Sequence, residues 1–197
     1  SPPGLRKSPA AILEYIPELQ GSLYYTESHA QQGVFHSKTR QWTWQRLASS
    51  STRLRASPDF PLREAVAAYD SLNKVLVAHH GGGTHRGQPV PKRTWHYDVT
   101  AGKWERVIES DEGPVGADNQ GPMVYDSAAR ACFLVAPDGL WRYEVDDKRW
   151  LKVTPTGPAH NQKRTRPCMA CYNPEYNVLT VDGGHGQVWV YRAKVAL

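Results

Sequence analysis

The sequence has few cysteines, no long apolar run and no dense basic run. Three cysteines among 197 residues do not make a disulfide framework. No apolar stretch approaches the roughly 20 residues that a membrane helix needs, and residues 1–10 lack the apolar stretch of a signal peptide. The net charge is +5, which favours anionic partners in general. Without a Lys/Arg cluster, it does not favour nucleic acid.

Common catalytic and cofactor-binding signatures are also missing. The sequence contains no P-loop, Rossmann fingerprint, nucleophile elbow or His-Glu-x-x-His motif. Cys168 and Cys171 have C-x-x-C spacing, but no second pair of ligands accompanies them, so we interpret them as buried small side chains. We therefore predict no metal site, no cofactor and no catalytic residues. Enzyme activity carried by this chain alone is not expected.

Aromatic rings and turn-forming residues are plentiful. The chain has 7 Trp, 10 Tyr, 16 Gly and 15 Pro. Short segments separated by Gly and Pro suit an all-β protein with many turns. The length is enough for one sizeable core.

One phrase returns along the chain: a tyrosine, then Asp, Asn or Pro, then an apolar run. The corner tyrosines are Tyr69, Tyr125 and Tyr172, and Tyr15 begins a degenerate copy. Successive corners are 54, 56 and 47 residues apart. Repeats of this length are typical of solenoids and propellers.

An aromatic strand follows each corner. Two of the three clear copies have a second Trp nine residues after the first, and Phe35 and Trp44 hold the same spacing in the degenerate copy. Large flat rings bury much area between packed sheets. We therefore predict structural roles for Tyr69, Trp95, Trp104, Tyr125, Trp141, Trp150, Tyr172 and Trp189.

Each repeat is interpreted as four strands, a to d, of one sheet. Strand a ends at the Tyr-Asp corner, where Asp, Asn and Pro favour a tight turn. In two repeats glycines close strand b, at 81–83 and 183–184. The paired aromatics lie in strands c and d.

These elements resemble kelch repeats, of the type found in the central domain of galactose-oxidase-like proteins. The resemblance covers residues 11–197 and implies an all-β, kelch-type β-propeller with about four four-stranded blades. It also favours an extracytoplasmic or secreted location. Some relatives of that type are copper radical oxidases, but the sequence offers no well-placed set of copper ligands. The approximate blades are 11–47, 64–107, 121–153 and 166–197, after an N-terminal extension or linker at 1–10.

Four repeats predict part of a larger ring. Propellers of this family commonly have about six or seven blades, and the fourth repeat lacks its strand d. The missing blades are expected from preceding sequence, a second chain or a second copy of this chain.

Basic residues concentrate in the connections that a propeller places on one face. Segments 48–64, 81–93 and 154–166 are basic, whereas segment 107–121 is acidic. Long variable loops are the usual binding surfaces of repeat folds, and arginine suits carboxylate and sulfate groups. The candidate ligand-binding residues are Arg55, Arg93, His160, Arg164 and Arg166.

Two functions remain open at this stage. The first is a binding or assembly module, with an anionic polymer or an acidic protein as the partner. The alternative is the non-catalytic part of a carbohydrate-active or oxidase enzyme whose active residues lie elsewhere.

Overall fold

The computed structural model describes residues 12–26, 31–46, 61, 65–85, 88–115, 121–156, 169–184 and 187–193. These residues form fifteen strands and one 3-10 turn, Pro17–Leu19. The strands are β1 Ile12–Ile16, β2 Gly21–Thr26, β3 Gln31–His36, β4 Gln41–Arg46, β5 Val66–Asp70, β6 Val75–His85, β7 Gln88–Asp98, β8 Lys103–Ser110, β9 Met123–Asp126, β10 Ala131–Ala136, β11 Gly139–Glu144, β12 Arg149–Val153, β13 Ala170–Asn173, β14 Val178–Gly184 and β15 Gln187–Tyr191.

Consecutive strands pair antiparallel into four sheets. Blade one is β1–β4, blade two β5–β8, blade three β9–β12 and blade four β13–β15, the last with three strands among the described residues. The sheets are arranged as a four-bladed β-propeller, so the predicted fold class is confirmed. The predicted extension at 1–10 lies outside the residues that the structure describes.

The repeated Tyr-Asp corner is a side-chain-capped turn between strands a and b. Asp70 Oδ1 accepts hydrogen bonds from the backbone amides two and three residues later, at 2.9 and 3.1 Å. Asp126 does the same at 2.9 Å for both amides, and Asn173 at 3.0 and 3.2 Å. An acceptor at this position satisfies turn amides that no strand reaches. Blade one lacks such a residue, and the 3-10 turn Pro17–Leu19 takes its place.

Three apolar clusters fill the spaces between successive blades. The first joins blades one and two and includes Tyr69, Trp95 and Trp104. The second joins blades two and three, and the third joins blades three and four. Among the described residues, no such cluster joins blade four to blade one. Of the other predicted structural residues, Tyr125, Trp141 and Trp150 lie in the second cluster and Trp189 in the third.

Tyr172 is half-buried in β13, and its hydroxyl donates to Asn177 Oδ1 at 3.1 Å. It therefore ties the start of the fourth a–b turn to its end.

The two faces of each blade differ in chemistry. We call the face that packs on the preceding blade the N-side face and the opposite one the C-side face. On blade two the N-side face carries Tyr97 and Trp104, whereas the C-side face carries Val77, Thr94 and His96. Because successive side chains of a strand point to opposite faces, the remaining strand residues are assigned to the two faces in the same way.

The strand register corrects the spacing interpretation of blade one. Tyr97 pairs with Trp104, Tyr143 with Trp150, and Phe35 with Trp42. Trp42, rather than Trp44, is thus the structural equivalent of the strand-d tryptophans. Phe35 corresponds to the strand-c tyrosines and not to the tryptophan two residues earlier. The nine-residue spacing from Phe35 to Trp44 therefore joins non-equivalent positions.

Indole N–H groups link blade two to blade one and blade three to blade two. Trp104 Nε1 donates to Gln32 Oε1 at 2.9 Å, and Gln32 Nε2 donates to the Tyr97 hydroxyl at 2.9 Å. Trp150 Nε1 donates to Thr94 Oγ1 at 2.9 Å. Gln32 and Thr94 hold equivalent positions in strand c of their blades. The buried rings are thus fixed in orientation as well as in place.

Cys171 corrects the expectation of buried thiols, because it is exposed. It lies on the C-side face of blade four, opposite Thr180 in the strand register. No blade in the described structure covers that face. Cys168 lies outside the described residues.

No helix found among the described residues is long and apolar enough to cross a membrane.

The buried corner carboxylate predicts a cost for its removal. Asp126 is 2% exposed and caps two turn amides, so Asp126→Ala should lower the free energy of unfolding by about 1–3 kcal/mol. Asp126→Asn keeps an acceptor and should cost less than half of that. Urea titration of both variants measures the difference, and equal costs would show that the amide bonds are unimportant.

Trp150 predicts a larger effect. Its ring lies 4.8 Å from Tyr143 and 4.7 Å from His79, centroid to centroid. Trp150→Ala should cost about 3–5 kcal/mol, whereas Trp150→Phe should cost about 1–2 kcal/mol, since it keeps a ring and loses the bond to Thr94. Equilibrium denaturation measures both. A shift below about 1 kcal/mol for the alanine variant would contradict packing between blades.

Candidate functional site

The longest hairpin of the described structure extends from one end of blade two. Strands β6 and β7 have 11 residues each. Gly82 and Gly83 adopt φ values of 77° and 135°, which favour glycine. A Cβ on Gly82 would lie 2.9 Å from the carbonyl oxygen of Val90. The glycines therefore let β7 follow β6 closely beyond the body of the blade.

Basic side chains of β7 are held by the following strand and the segment after it. Lys92 Nζ donates to the carbonyl oxygens of Asp111 and Gly113, at 2.5 and 3.0 Å. Arg93 forms an ion pair with Glu109 at 3.2 Å, and Arg106 pairs with the same carboxylate. The acidic segment that follows blade two thus meets the basic strand beside it.

Arg93 is the one predicted ligand-binding residue that the structure describes. Its side chain is 18% exposed, and it shares the single Glu109 carboxylate with Arg106. The other four predicted residues, Arg55, His160, Arg164 and Arg166, lie outside the described residues.

His79 lies beneath the hairpin in a directed chain of hydrogen bonds. Its Nε2 is 3.3 Å from the carbonyl oxygen of Pro114 and its Nδ1 is 3.0 Å from Thr94 Oγ1. A carbonyl can only accept, so Nε2 carries the proton and Nδ1 accepts from the Thr94 hydroxyl. Thr94 in turn accepts from the Trp150 indole. Every atom in this chain has a defined role when the imidazole is neutral.

Burial keeps three histidines of blade two uncharged. It lowers the pKa of His79 to about 3. Burial also lowers the pKa of His80 to about 4, with a smaller effect from the Arg93 charge, and lowers that of His96 to about 4. His96 Nε2 shares a hydrogen bond of 2.8 Å with the Tyr143 hydroxyl across the blade interface. His79 and His96 contact blade three, and all three imidazoles are poorly suited to proton transfer near neutral pH.

His79 and His80 do not chelate together. His79 is buried with its ring nitrogens engaged, whereas His80 Nδ1 accepts from the backbone amide of Gly82 at 3.2 Å. Within the described ranges, no group of three or more His, Cys, Asp or Glu residues could hold a metal ion.

Asp138 organises the same end of blade three. Its Oδ1 accepts from the Trp141 indole at 3.0 Å, and its Oδ2 lies 3.6 Å from Lys152 Nζ. Lys152 also lies 5.5 Å from the centre of the Trp141 ring. Asp138 was not among the predicted site residues. Its neighbour Gly139 adopts φ 140°.

The cations described at this end are therefore engaged with groups of the same chain, although Arg93 Nε is buried without a hydrogen-bond partner. Lys92, Arg93, Arg106 and Lys152 all have anionic or carbonyl partners. They can contact a ligand only by giving up or sharing those partners.

Four packed blades define the class of this protein as a β-propeller. The sequence matches no family model and no curated protein. Solved structures share the fold at low identity.

The extracellular domain of a hybrid two-component system from B. thetaiotaomicron has 9% identity and a TM-score of 0.58, with 98% of this chain and 22% of that chain covered. An auxiliary nutrient binding protein from Bacteroides thetaiotaomicron has 7% identity and a TM-score of 0.53, with coverage of 88% and 35%. The Cps50 (Swd1) β-propeller domain of Myceliophteria thermophila has 9% identity and a TM-score of 0.55, with coverage of 96% and 53%. The chain thus spans between about a fifth and half of these proteins.

The buried histidines predict acid sensitivity. Their folded pKa values of about 3 to 4 lie below the unfolded value of about 6.5, so unfolding takes up protons. Their stabilisation is complete above about pH 6.5 and is lost as the pH falls towards 4. Each histidine contributes a slope of about 1.4 kcal/mol per pH unit within that window. Urea denaturation at several pH values measures the slope of the free energy of unfolding against pH. His79→Gln should reduce the number of protons taken up on unfolding by about one.

Glu14 opposes this trend and provides a control. Burial raises its pKa to about 7. Its contribution is present below the unfolded pKa of about 4.5 and is lost as the pH rises to 7. Glu14→Gln should therefore make the free energy of unfolding rise more steeply between pH 5 and 6, by about one proton taken up on unfolding. A shallower slope in this variant would contradict the assignment.

Proposed function

We propose that this chain is a propeller-type binding module for an anionic polymer or an acidic protein. The observation that carries the proposal is the distribution of charge among the connections at one end of the blades. Segment 81–93, most of which belongs to strands β6 and β7, and the connection 154–166 contain no acid, and segment 48–64 carries three arginines. The net charge of +5 is of the matching sign.

The ion pairs of blade two make its basic side chains less available to a ligand, so we assign ligand binding mainly to the connections outside blade two. Arg93 would have to leave Glu109 to hold a ligand, and that exchange gains little. Arg55, His160, Arg164 and Arg166 are the residues to which we assign the main contacts. Guanidinium groups can form paired hydrogen bonds with carboxylate or sulfate without a deep pocket.

The repeat pattern and the solved structures support a binding role over a catalytic one. The corner residues and the glycines of strand b fit a kelch-type propeller, which we retain as part of the proposal. One structurally similar protein is described as a nutrient binding protein and another as an extracellular domain. A rigid set of blades that presents variable loops suits such roles.

Paired arginine substitutions test the proposal. Arg164→Ala with Arg166→Ala should weaken binding to a sulfated polysaccharide by roughly a hundredfold at low salt, because each charge-assisted contact contributes about 1.5 kcal/mol, a factor of about ten. Binding of the unaltered chain should itself fall steeply between low and physiological salt. Isothermal titration or fluorescence anisotropy measures both effects.

The matched control removes two charges from the opposite end of the blades. Lys38 and Lys103 are exposed at the c–d turns of blades one and two, and Lys38→Ala with Lys103→Ala should leave affinity within about twofold. Equal losses in the two double variants would indicate a net-charge effect without a site. Equal binding of neutral and sulfated polymers, or no binding of either, would overturn the proposal.

A further inference from the structure

The two ends of the blade series expose apolar side chains. On the N-side face of blade one, Leu13 and Tyr15 are 63% and 56% exposed. On the C-side face of blade four, Val188 and Val190 are 64% and 65% exposed. The equivalent faces of blades two and three are buried in the inter-blade clusters. Exposed apolar faces of this kind mark sites of association.

The N-side face of blade one is already built as an interface. Trp42 and Trp44 stack at 4.8 Å between ring centres with an interplanar angle of 15°, and Tyr24 meets both edge-on at about 6 Å. Gly33 makes room for this arrangement, because a Cβ there would lie 2.6 Å from the Trp44 ring. Trp42 holds the position that Trp104 and Trp150 use to contact a preceding blade.

One buried donor on this face has no acceptor within the described chain. Trp44 Nε1 is buried and finds no hydrogen-bond partner. An unpaired buried donor is unfavourable, but this atom is already enclosed within one copy, so the docking argument rests on the exposed apolar side chains of the face.

The C-side face of blade four matches this surface in chemistry. Tyr97 in blade two and Tyr143 in blade three form hydrogen bonds to the preceding blade through their hydroxyls. Blade one carries Phe35 at the same position, and this ring needs no hydrogen-bond partner. Where blade two offers His96 to the following blade, blade four offers Val190, by the register of their strands. The two faces are thus both apolar at these positions, because Phe35 lacks a hydroxyl and Val190 lacks a polar side-chain atom. The strand-c position that holds Gln32 in blade one and Thr94 in blade two holds Val188 in blade four, so this part of the face is apolar as well.

We propose that the N-side face of blade one binds the C-side face of blade four of a second copy, so that two copies close one eight-bladed ring. One chain carries both surfaces of the interface, one on blade one and the other on blade four. The contact is therefore head-to-tail, between two different faces of identical chains. Head-to-tail contacts close into rings or continue as filaments, and rings of eight blades are within the range of known propellers. This inference is independent of the anion-binding proposal.

Mass measurements on the 197-residue chain test the inference. Light scattering and sedimentation velocity should give twice the chain mass of 22.1 kDa, without further growth as concentration rises. Leu13→Asp and Val190→Asp each place a carboxylate in the proposed contact. Each should weaken the dimer roughly a hundredfold or more, since the buried charge has no partner.

Leu72→Asp is the matched control, because Leu72 is 52% exposed in a turn away from both faces. This variant should remain dimeric. All three side chains are exposed within one copy, so the circular dichroism spectra should stay close to that of the unaltered chain. The urea midpoints of the two interface variants should fall, because they lose the stabilisation that dimerisation gives the folded chain, whereas the midpoint of Leu72→Asp should not change. The Arg164→Ala and Arg166→Ala variant should also remain dimeric, which separates this inference from the proposed function.

Mixing the two interface variants provides the sharpest test. Each variant alone should be monomeric, but an equimolar mixture retains one intact contact, between blade one of the Val190→Asp chain and blade four of the Leu13→Asp chain. A heterodimer in the mixture supports the head-to-tail contact. A monomeric unaltered chain, a dimer broken by only one of the substitutions, or a mass that grows with concentration would overturn the proposal.

Discussion

The structure depends on the contacts of two strand-d tryptophans, Trp104 and Trp150, with strand c of the preceding blade. Trp104 meets Gln32, and Trp150 meets Thr94, each through its indole N–H. The ring removes apolar area from water, and the hydrogen bond fixes its direction. In both contacts the indole donor lies on the later blade and its acceptor on the earlier one, so these contacts give the stack a direction. Two sheets without this pairing could slide over one another at little cost.

The repeat could be predicted because its markers act locally. Asp70 and Asp126 cap turns two and three residues away, so their effect is visible in the sequence. The register of blade one could not be predicted from spacing. The turn in strand pair β3–β4 sets Phe35 opposite Trp42, and two tryptophans in the same strand gave two equally good spacings. Sequence alone does not choose between them.

The candidate site was less predictable for a related reason. The bonds of His79 to Pro114 and of Thr94 to Trp150 join residues 35 and 56 positions apart, and such pairs exist only once the blades have packed. Arg93 was recognised as basic, but its ion pair with Glu109 follows from the pairing of β7 with β8. Counting charges along the sequence therefore overestimates the charge available to a ligand wherever adjacent strands place opposite charges side by side.

The consecutive order of strands within every blade has a consequence for folding. Each sheet is a meander in which every strand pairs with its neighbour in the chain, so most backbone contacts within a blade close short loops. Low sequence separation favours rapid folding, and a nascent chain emerging from a ribosome can complete one sheet before the next is synthesised. The apolar faces of each new sheet then wait only for the following segment of about fifty residues. Synthesis itself would thereby set the order in which the hydrophobic surfaces are covered.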